Sequence, residues 1–316
     1  MDGSKRAVYG MERMTAMDML EISHISKSFG DREVLRDVNL TVPKHAIYGF
    51  VGQNGAGKTT TMKLILGLLP ANQGEIWVNG EKVSFGQNRT NQYIGYLPDV
   101  PEFYTFMTPA EYLDFCGAIT GMEPHDCRKR TKELLSLVGL SQEKHRIKGF
   151  SRGMKQRLGI AQALLNRPKL LICDEPTSAL DPVGRKEILD ILTAAREQTT
   201  VLFSTHILSD VERICEKFAF LHEGKILCQG SMEEMKKNCK GAGFQMELEH
   251  KKDVKKLLQR FPEGIQQGKY GVAYQQGTKC QIEEVLLWML REQISFHSIE
   301  KCSITLESLF LEVVGK

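Results

Sequence analysis

One glycine-rich segment constrains the fold of this chain more than any other feature. Residues 52–59 read GQNGAGKT and match the pattern G-x-x-x-x-G-K-[ST] in full. A short apolar run at 46–51 precedes them, and a helical pattern from about 58 to 69, which we expect Pro70 to end, follows them. The chain must therefore place a buried strand, a tight loop and a helix in direct succession, which is the repeating unit of parallel α/β sheets.

Each residue type in this loop suits a triphosphate. Glycine lets backbone N–H groups approach phosphate oxygens closely, and the start of the next helix carries about half a positive unit charge. We expect the Lys58 ammonium to reach the β- and γ-phosphates and the Thr59 hydroxyl to ligate Mg²⁺. A glycine turn without a ligand is the alternative, which the strand-loop-helix context disfavours. The pattern predicts ATP and Mg²⁺ as cofactors, bound by Gly52, Gln53, Asn54, Gly55, Ala56, Gly57, Lys58, Thr59 and Thr60.

A second apolar run ends in two acids. Residues 170–173 read LLIC, and Asp174 and Glu175 follow. A buried strand would deliver both acids to the carboxyl edge of the sheet, beside the phosphate loop. We expect Asp174 to hold Mg²⁺ through water, and Glu175 to orient and deprotonate the attacking water. An acidic pair at an ordinary strand end is the alternative, which is weakened by the phosphate loop upstream.

The same strand-then-helix pattern recurs along the chain. The apolar runs at 170–173 and 200–203 are each followed by a helical pattern, so we predict an α/β fold, a P-loop NTPase core with a mostly parallel sheet. Alternating apolar and polar residues predict an N-terminal antiparallel β subdomain with strands at 19–25, 34–42 and 74–80.

Two further regions complete the predicted organisation. Residues from about 100 to 166 carry apolar side chains at helical spacing and predict an inserted helical subdomain. Residues 233–316 have no phosphate loop, and their mixed patterns predict a small C-terminal α+β accessory domain. We predict that residues 1–17 form a flexible tail and that 18–232 form the ATPase domain.

Composition narrows the functional classes. The chain has 42 basic and 39 acidic residues, a net charge of +3, which gives no electrostatic reason to expect nucleic acid as a partner. No two of the eight cysteines have C-x-x-C spacing, so we predict reduced, buried thiols rather than a zinc site. No apolar stretch approaches the roughly 20 residues of a membrane span, and the N-terminus lacks the apolar run of a secretory signal.

Four motifs in one order resemble the ATP-binding cassette (ABC) family. Besides the phosphate loop, residues 150–157 read FSRGMKQR and resemble the family's signature motif. Residues 174–181, DEPTSALD, resemble its second Walker motif with the D-loop, and 204–206, STH, resemble its switch histidine. The resemblance covers about 19–231.

The resemblance implies that two ATPase domains face each other head to tail, with each ATP between one phosphate loop and the partner's signature motif. Ser151 and the Gly153 backbone N–H would then bind the partner's γ-phosphate, and Asp181 would lie at the dimer seam. Simple helix capping is the alternative for Ser151, and both roles are compatible.

The resemblance also implies two further contacts to the nucleotide. His206 would contact the γ-phosphate and support attack by water, whereas a lone histidine at a strand end is otherwise more often structural. Phe29 aligns with the aromatic residue that stacks on adenine in similar proteins. An ordinary core phenylalanine is the alternative for Phe29.

The chain departs from the family pattern at three positions. Asp99 stands where many relatives have glutamine; as a carboxylate it only accepts hydrogen bonds, yet it could still ligate Mg²⁺ or its waters. In the signature, Arg152 replaces a glycine and Met154 replaces a glutamine. This form of the signature resembles the branch of drug, antibiotic and peptide exporters.

The resemblance implies the partners and the location. A separate permease and a second ATPase subunit would complete a transporter, with this chain peripheral at the cytoplasmic face of the cell membrane. The segment 101–106, PEFYTF, could offer an aromatic patch to the permease, although local core packing is equally compatible. A soluble ATPase that acts on ribosomes or DNA is the alternative function, which the single cassette and the short insert disfavour.

Overall fold

The structure is a computed structural model that describes residues 18–87, 89–234, 243–274, 282–301 and 306–307. It divides into two compact units between Ser231 and Met232. The predicted tail at 1–17 lies outside the described residues.

The first unit alternates strands and helices along the chain after an initial pair of long strands. Its elements are β1 Asp18–Phe29, β2 Arg32–Pro43, β3 Ile47–Val51, α1 Lys58–Ile65, β4 Gln73–Val78, β5 Glu81–Lys82, β6 Ile94–Leu97, α2 Pro109–Ile119, α3 Pro124–Leu137, α4 Arg152–Leu164, β7 Leu170–Asp174, α5 Pro182–Ala195, β8 Thr200–Thr205, α6 Leu208–Ile214, β9 Lys217–His222 and β10 Lys225–Ser231.

Two sheets organise this unit. One is antiparallel, with the order β2-β1-β4-β5. The other has the order β10-β9-β3-β8-β7-β6, and all neighbours in it are parallel except β10 and β9. Strands β3, β7 and β8 are buried along their whole length, as expected for a parallel sheet covered on both faces. The predicted fold class is confirmed.

The strand order brings distant segments to one edge. Strand β8 lies between β3 and β7, with Val51 opposite Thr205 and Asp174 opposite Ser204. All three strands are parallel, so their carboxyl ends meet at the same edge of the sheet. The loop after β3, the acids at the end of β7 and the Ser-Thr-His segment at the end of β8 therefore lie together.

Helix α1 is shorter than predicted. It ends at Ile65 rather than near residue 69. Gly67 adopts the left-handed conformation (φ +67°), its N–H donates to the Leu64 carbonyl, and the Leu68 N–H donates to the Lys63 carbonyl. Glycine ends the helix before the proline because glycine reaches this conformation without a Cβ penalty.

The helical insert contains α2, α3 and α4, as predicted. Helix α2 begins with a capping box: the Thr108 hydroxyl accepts from the Glu111 N–H, and the Glu111 carboxylate accepts from the Thr108 N–H. Helix α4 also packs against β6, where Gly95 lets the backbone at Ala163 approach closely.

The second unit is an α+β domain, as predicted. Its described elements are β11 Phe244–Leu248, α7 Lys251–Arg260, β12 Ile265–Gln267, β13 Gly271–Tyr274, α8 Ile282–Arg291 and β14 Phe296–Lys301. The strands pair antiparallel in the order β12-β13-β11-β14. Phe244 and Tyr274 stack with ring centroids 4.8 Å apart in a core that includes Leu257 and Met289. Among the described residues of both units, no helix combines the length and apolarity that crossing a membrane requires.

Candidate active site

The loop after β3 needs glycine at two of its positions. Gly57 precedes α1 with φ +113°, and a Cβ there would lie 2.6 Å from Leu35 Cδ2. At Gly52 a Cβ would lie 2.5 Å from the Leu221 carbonyl oxygen. A side chain at Gly52 would push against the Leu221 backbone, and one at Gly57 would displace the Leu35 side chain and strain a left-handed backbone, so the glycines let the loop close tightly on the start of α1.

Lys58 lies at the centre of this loop. Its side chain is only 5% exposed, and its Nζ donates to the carbonyl oxygens of Gly52 at 2.6 Å and Gln53 at 3.1 Å. Nζ also lies 3.0 Å from Glu175 Oε1. The buried ammonium is thus surrounded by acceptors, as a buried charge requires, and the loop folds around it.

Asp174 accepts two short hydroxyl bonds. The Thr59 hydroxyl donates to Asp174 Oδ2 at 2.7 Å, and the Ser204 hydroxyl donates to Asp174 Oδ1 at 2.6 Å. The carboxylate is 2% exposed, so these bonds fix its orientation. A hydroxyl and a carboxylate, both hard oxygen donors, are thereby held together at the mouth of the loop.

Glu175 is held from several sides. Its backbone has φ +49°, which is strained for a residue with a side chain and is typical of functional sites. Its N–H lies 3.2 Å from the Ser204 carbonyl oxygen and 3.1 Å from the Ser204 hydroxyl, which hold this turn. Its Oε2 lies 2.8 Å from His206 Nδ1, while Oε1 faces Lys58. The side chains of Lys58, Glu175 and His206 thus form one cluster of ionisable groups.

An open cavity of about 430 Å³ connects most of the predicted site. The predicted residues that line it are Asn54, Gly55, Gly57, Lys58, Thr59, Thr60, Asp99, Glu175 and His206. Its volume is in the range of pockets that bind small ligands. The predicted residues from four separate segments are therefore brought to one concave surface.

Eight predicted residues are not among those that line this cavity, and four of them, Phe29, Ser151, Gly153 and Asp181, lie outside both the phosphate loop and β7. Ser151 accepts from the Met154 N–H at 3.2 Å and Asp181 accepts from the Gly184 N–H at 3.2 Å, so each caps the helix that it begins. Gly153 follows in the first turn of α4. Phe29 ends β1 with 48% of its surface exposed, which excludes a core role, and Lys27 Nζ lies 4.9 Å from its ring centroid. Binding roles for these residues remain predictions.

Asp99 faces the signature helix. Its Oδ1 lies 3.3 Å from Arg152 Nη2, and its backbone carbonyl accepts from Gln156 Nε2 at 2.7 Å. Arg152 Nε also donates to the Ser178 carbonyl at 3.1 Å. Burial raises the pKa of the Asp99 carboxyl, and the Arg152 guanidinium opposes this shift. The metal-ligand role of Asp99 stays a prediction.

Sequence reasoning missed several residues that support the site. In the sequence Ser204 belongs only to the histidine motif, whereas the pairing of β7 with β8 sets it opposite Asp174. Asp210 is buried and accepts from Thr177 at 2.8 Å and from Arg185 at 2.6 Å. This network links the segment after Glu175 to the start of α6, and no local sequence signal predicts it.

Known proteins are similar to this chain in sequence. The family model described as "ABC transporter" matches residues 35–178. "Uncharacterized ABC transporter ATP-binding protein YxlF" of Bacillus subtilis (strain 168) is 42% identical over 234 residues, which cover 74% of this chain and 78% of that protein. The chain belongs to the ABC transporter ATP-binding proteins. "Bacitracin transport ATP-binding protein BcrA" of Bacillus licheniformis is 38% identical over 237 residues, 74% of this chain and 76% of that protein.

A solved structure agrees with this membership. "Structure of ATP binding subunit of ABC transporter" superposes with a TM-score of 0.62 and 27% identity, over 86% of this chain and 99% of that chain. As an ABC ATPase, the chain is an enzyme that binds and hydrolyses ATP. The relatives described here are ABC transporter proteins, so the alternative of action on ribosomes or DNA is not favoured.

Proposed function

We propose that this ABC ATPase works as a pair of ATPase subunits bound to a separate permease at the cytoplasmic face of the cell membrane, and that the transporter exports a peptide antibiotic or a similar drug. The relative named for bacitracin transport supports the substrate class. The observation that carries the enzymatic part is the Glu175 carboxylate, held between Lys58 and His206 at the cavity wall.

In the proposed reaction, the chain's own groups divide the work. Lys58 exchanges Glu175 for the β- and γ-phosphates, so that Glu175 is freed to accept a proton from the attacking water. His206, 2.8 Å from Glu175, orients that carboxylate and contacts the γ-phosphate. The partial exposure of His206 leaves it accessible to a bound nucleotide.

The donor set fits Mg²⁺. The Thr59 hydroxyl and the Asp174 carboxylate lie 2.7 Å apart, and Mg²⁺ prefers such oxygen donors together with phosphate oxygens and water. Bound Mg²⁺ would neutralise charge on the transferred phosphate. The chain's part is to hold Asp174 in place through Ser204, which donates to its other oxygen.

The position of the signature residues supports the proposed pairing. Ser151 and Gly153 begin α4 but do not line the cavity of their own chain. The positive end of α4 is suited to a phosphate supplied by another subunit. We therefore propose that a second ATPase subunit supplies the nucleotide that Ser151 and the Gly153 N–H contact.

A groove beside α4 is suited to the permease. It has a volume of about 550 Å³ and is lined by Val100, Pro101, Phe103, Thr105 and Lys155, among others. The neighbouring Tyr104 and Phe106 are 53% and 63% exposed, so the aromatic segment forms a surface patch. Exposed aromatic side chains next to a groove mark a protein interface, and we assign this one to the permease.

Hydrolysis is tested by Glu175→Gln. The amide keeps the shape but cannot accept the proton, so we expect ATP binding to persist and hydrolysis to fall at least about 100-fold. ATP and Mg²⁺ should then trap a dimer, detectable by light scattering. The control is Glu197→Gln, an exposed carboxylate, which should hydrolyse ATP normally. Normal turnover in Glu175→Gln would contradict the role assigned to this residue.

The transport role is tested by purification of the tagged chain from native membranes. We expect a multi-helix membrane protein to co-purify, and substitution of Tyr104 and Phe106 by serine to lose it while ATP binding persists. Cells with wild-type chain and permease should resist bacitracin better than cells with Glu175→Gln. Recovery with ribosomes and no membrane protein would overturn the transport proposal.

A further inference from the structure

Two departures from the family pattern contact each other. Asp99 and Arg152 are 53 residues apart in the chain, yet Asp99 Oδ1 accepts from Arg152 Nη2 at 3.3 Å. In the common family form these positions are glutamine and glycine, which cannot form an ion pair. An acid and a base therefore stand together where the ordinary pattern has neither charge.

Arg152 bonds to two loops from the first turn of α4. Its Nη2 reaches Asp99 in the loop after β6, and its Nε donates to the Ser178 carbonyl in the segment after Glu175. The fully buried Gln156, one turn further along α4, donates to the Asp99 backbone carbonyl at 2.7 Å. The start of α4 is thereby joined to both segments that flank the nucleotide cavity.

The ion pair is poorly placed to add stability. The side chains of Arg152 and Asp99 are 42% and 47% exposed. Ion pairs at this exposure contribute little to folding, because water competes for both partners. The location of the ion pair explains it better than stability does. Asp99 and Ser178, the two residues to which Arg152 bonds, both line the cavity that also contains Lys58 and Glu175.

We propose that Arg152 is a positioning residue, which transmits the filling of its own chain's nucleotide cavity to the signature motif through Asp99 and Ser178. This inference rests on the proposed pairing of subunits, in which the signature motif completes the partner's site. If nucleotide binding shifts the loop of Asp99 or the segment of Ser178, it also moves the Arg152 guanidinium, which is bonded to both. Because Arg152 is the first residue of α4, this movement reaches the start of the helix. Arg152 itself needs no contact with nucleotide.

The test compares Arg152→Ala, Asp99→Ala and the charge swap Asp99→Arg with Arg152→Asp. We expect both single variants to lose about tenfold in kcat, and Arg152→Ala, which removes no cavity-lining group, to bind ATP with nearly wild-type Kd, because coupling and not binding is reduced. The swap restores the opposite charges and should recover part of that loss. Lys148→Ala, an exposed base in the same subdomain, is the control and should keep normal kcat.

Three readouts separate this proposal from a structural role and from the proposed function. The melting temperature of each variant should stay near that of wild type, so that a loss of kcat reports position and not unfolding. The proposal would be overturned if Arg152→Ala kept the wild-type kcat. It would also be overturned if the loss of kcat in the charge-swapped double variant equalled the combined losses of the two single variants. If wild-type chain with its permease hydrolysed no ATP, the proposed function itself would fail.

Discussion

At the scale of single residues, the arrangement of the site depends on the buried ammonium of Lys58, whose charge must be paired with acceptors. Lys58 is held by two loop carbonyls and by Glu175, and Glu175 is held in turn by His206. The ammonium already has the acceptors that a buried charge needs, so phosphate oxygens can replace the carboxylate without leaving the ammonium unpaired.

Lys58→Ala should weaken ATP binding by about 10- to 100-fold, because a charge-assisted bond is worth about 1.5–3 kcal/mol. The change also leaves the Glu175 carboxylate without its cation, beside an incoming anion. Nucleotide affinity by calorimetry checks this, with Lys63→Ala on the exposed side of α1 as the control. Equal affinity in Lys58→Ala and wild type would contradict the assignment of the loop.

At the scale of elements, the parallel sheet and α4 set the distances between the motifs. Strand β8 between β3 and β7 brings Ser204 to Asp174 and His206 to Glu175. Helix α4 lies against β6, the strand that leads into Asp99. The relation of α4 to the nucleotide cavity therefore depends on how closely this helix packs.

Gly95→Ala should disturb that packing. A Cβ at this position would lie 2.1 Å from the Ala163 carbonyl oxygen and 3.0 Å from Pro168, so α4 or its C-terminal end must shift. Overpacking of this kind costs about 1–3 kcal/mol, and urea unfolding measures it. Gly149→Ala, where a Cβ meets no atom within 4 Å, is the control. A wild-type unfolding midpoint in Gly95→Ala would contradict the close contact.

At the scale of the whole molecule, the proposed pairing would give each chain one half of each of two nucleotide sites. The phosphate loop lines the cavity, whereas Ser151 and Gly153 do not. In a two-fold dimer, the same surface is used on both subunits, so each signature motif is available to the other chain's nucleotide.

Mixing two inactive variants tests this arrangement. Lys58→Ala disables the loop, and Ser151→Asp keeps a good helix cap while its charge repels phosphate. A mixed dimer retains one intact site, so we expect recovery of up to about a quarter of wild-type hydrolysis when half of the dimers are mixed. The control mixes Lys58→Ala with the double variant that carries both Lys58→Ala and Ser151→Asp, because no dimer in that mixture has an intact site. No recovery would contradict pairing of two copies of this chain.

The sequence by itself determined the local chemistry: the phosphate loop at 52–59, the acids that end β7, and the alternation of strands and helices. These follow from residues close together in the chain, since turn chemistry, periodicity and capping act over a few positions. Gly67, which ends α1, is a local signal of the same kind.

Only the tertiary structure decided which distant side chains meet. Asp99 with Arg152, and Asp174 with Ser204, are separated by 53 and 30 residues. Such contacts depend on strand order and on how α4 docks, which arise from packing of the whole sheet and leave no local pattern in the sequence. Residue type determined what each group can do, and the fold determined which group it acts on.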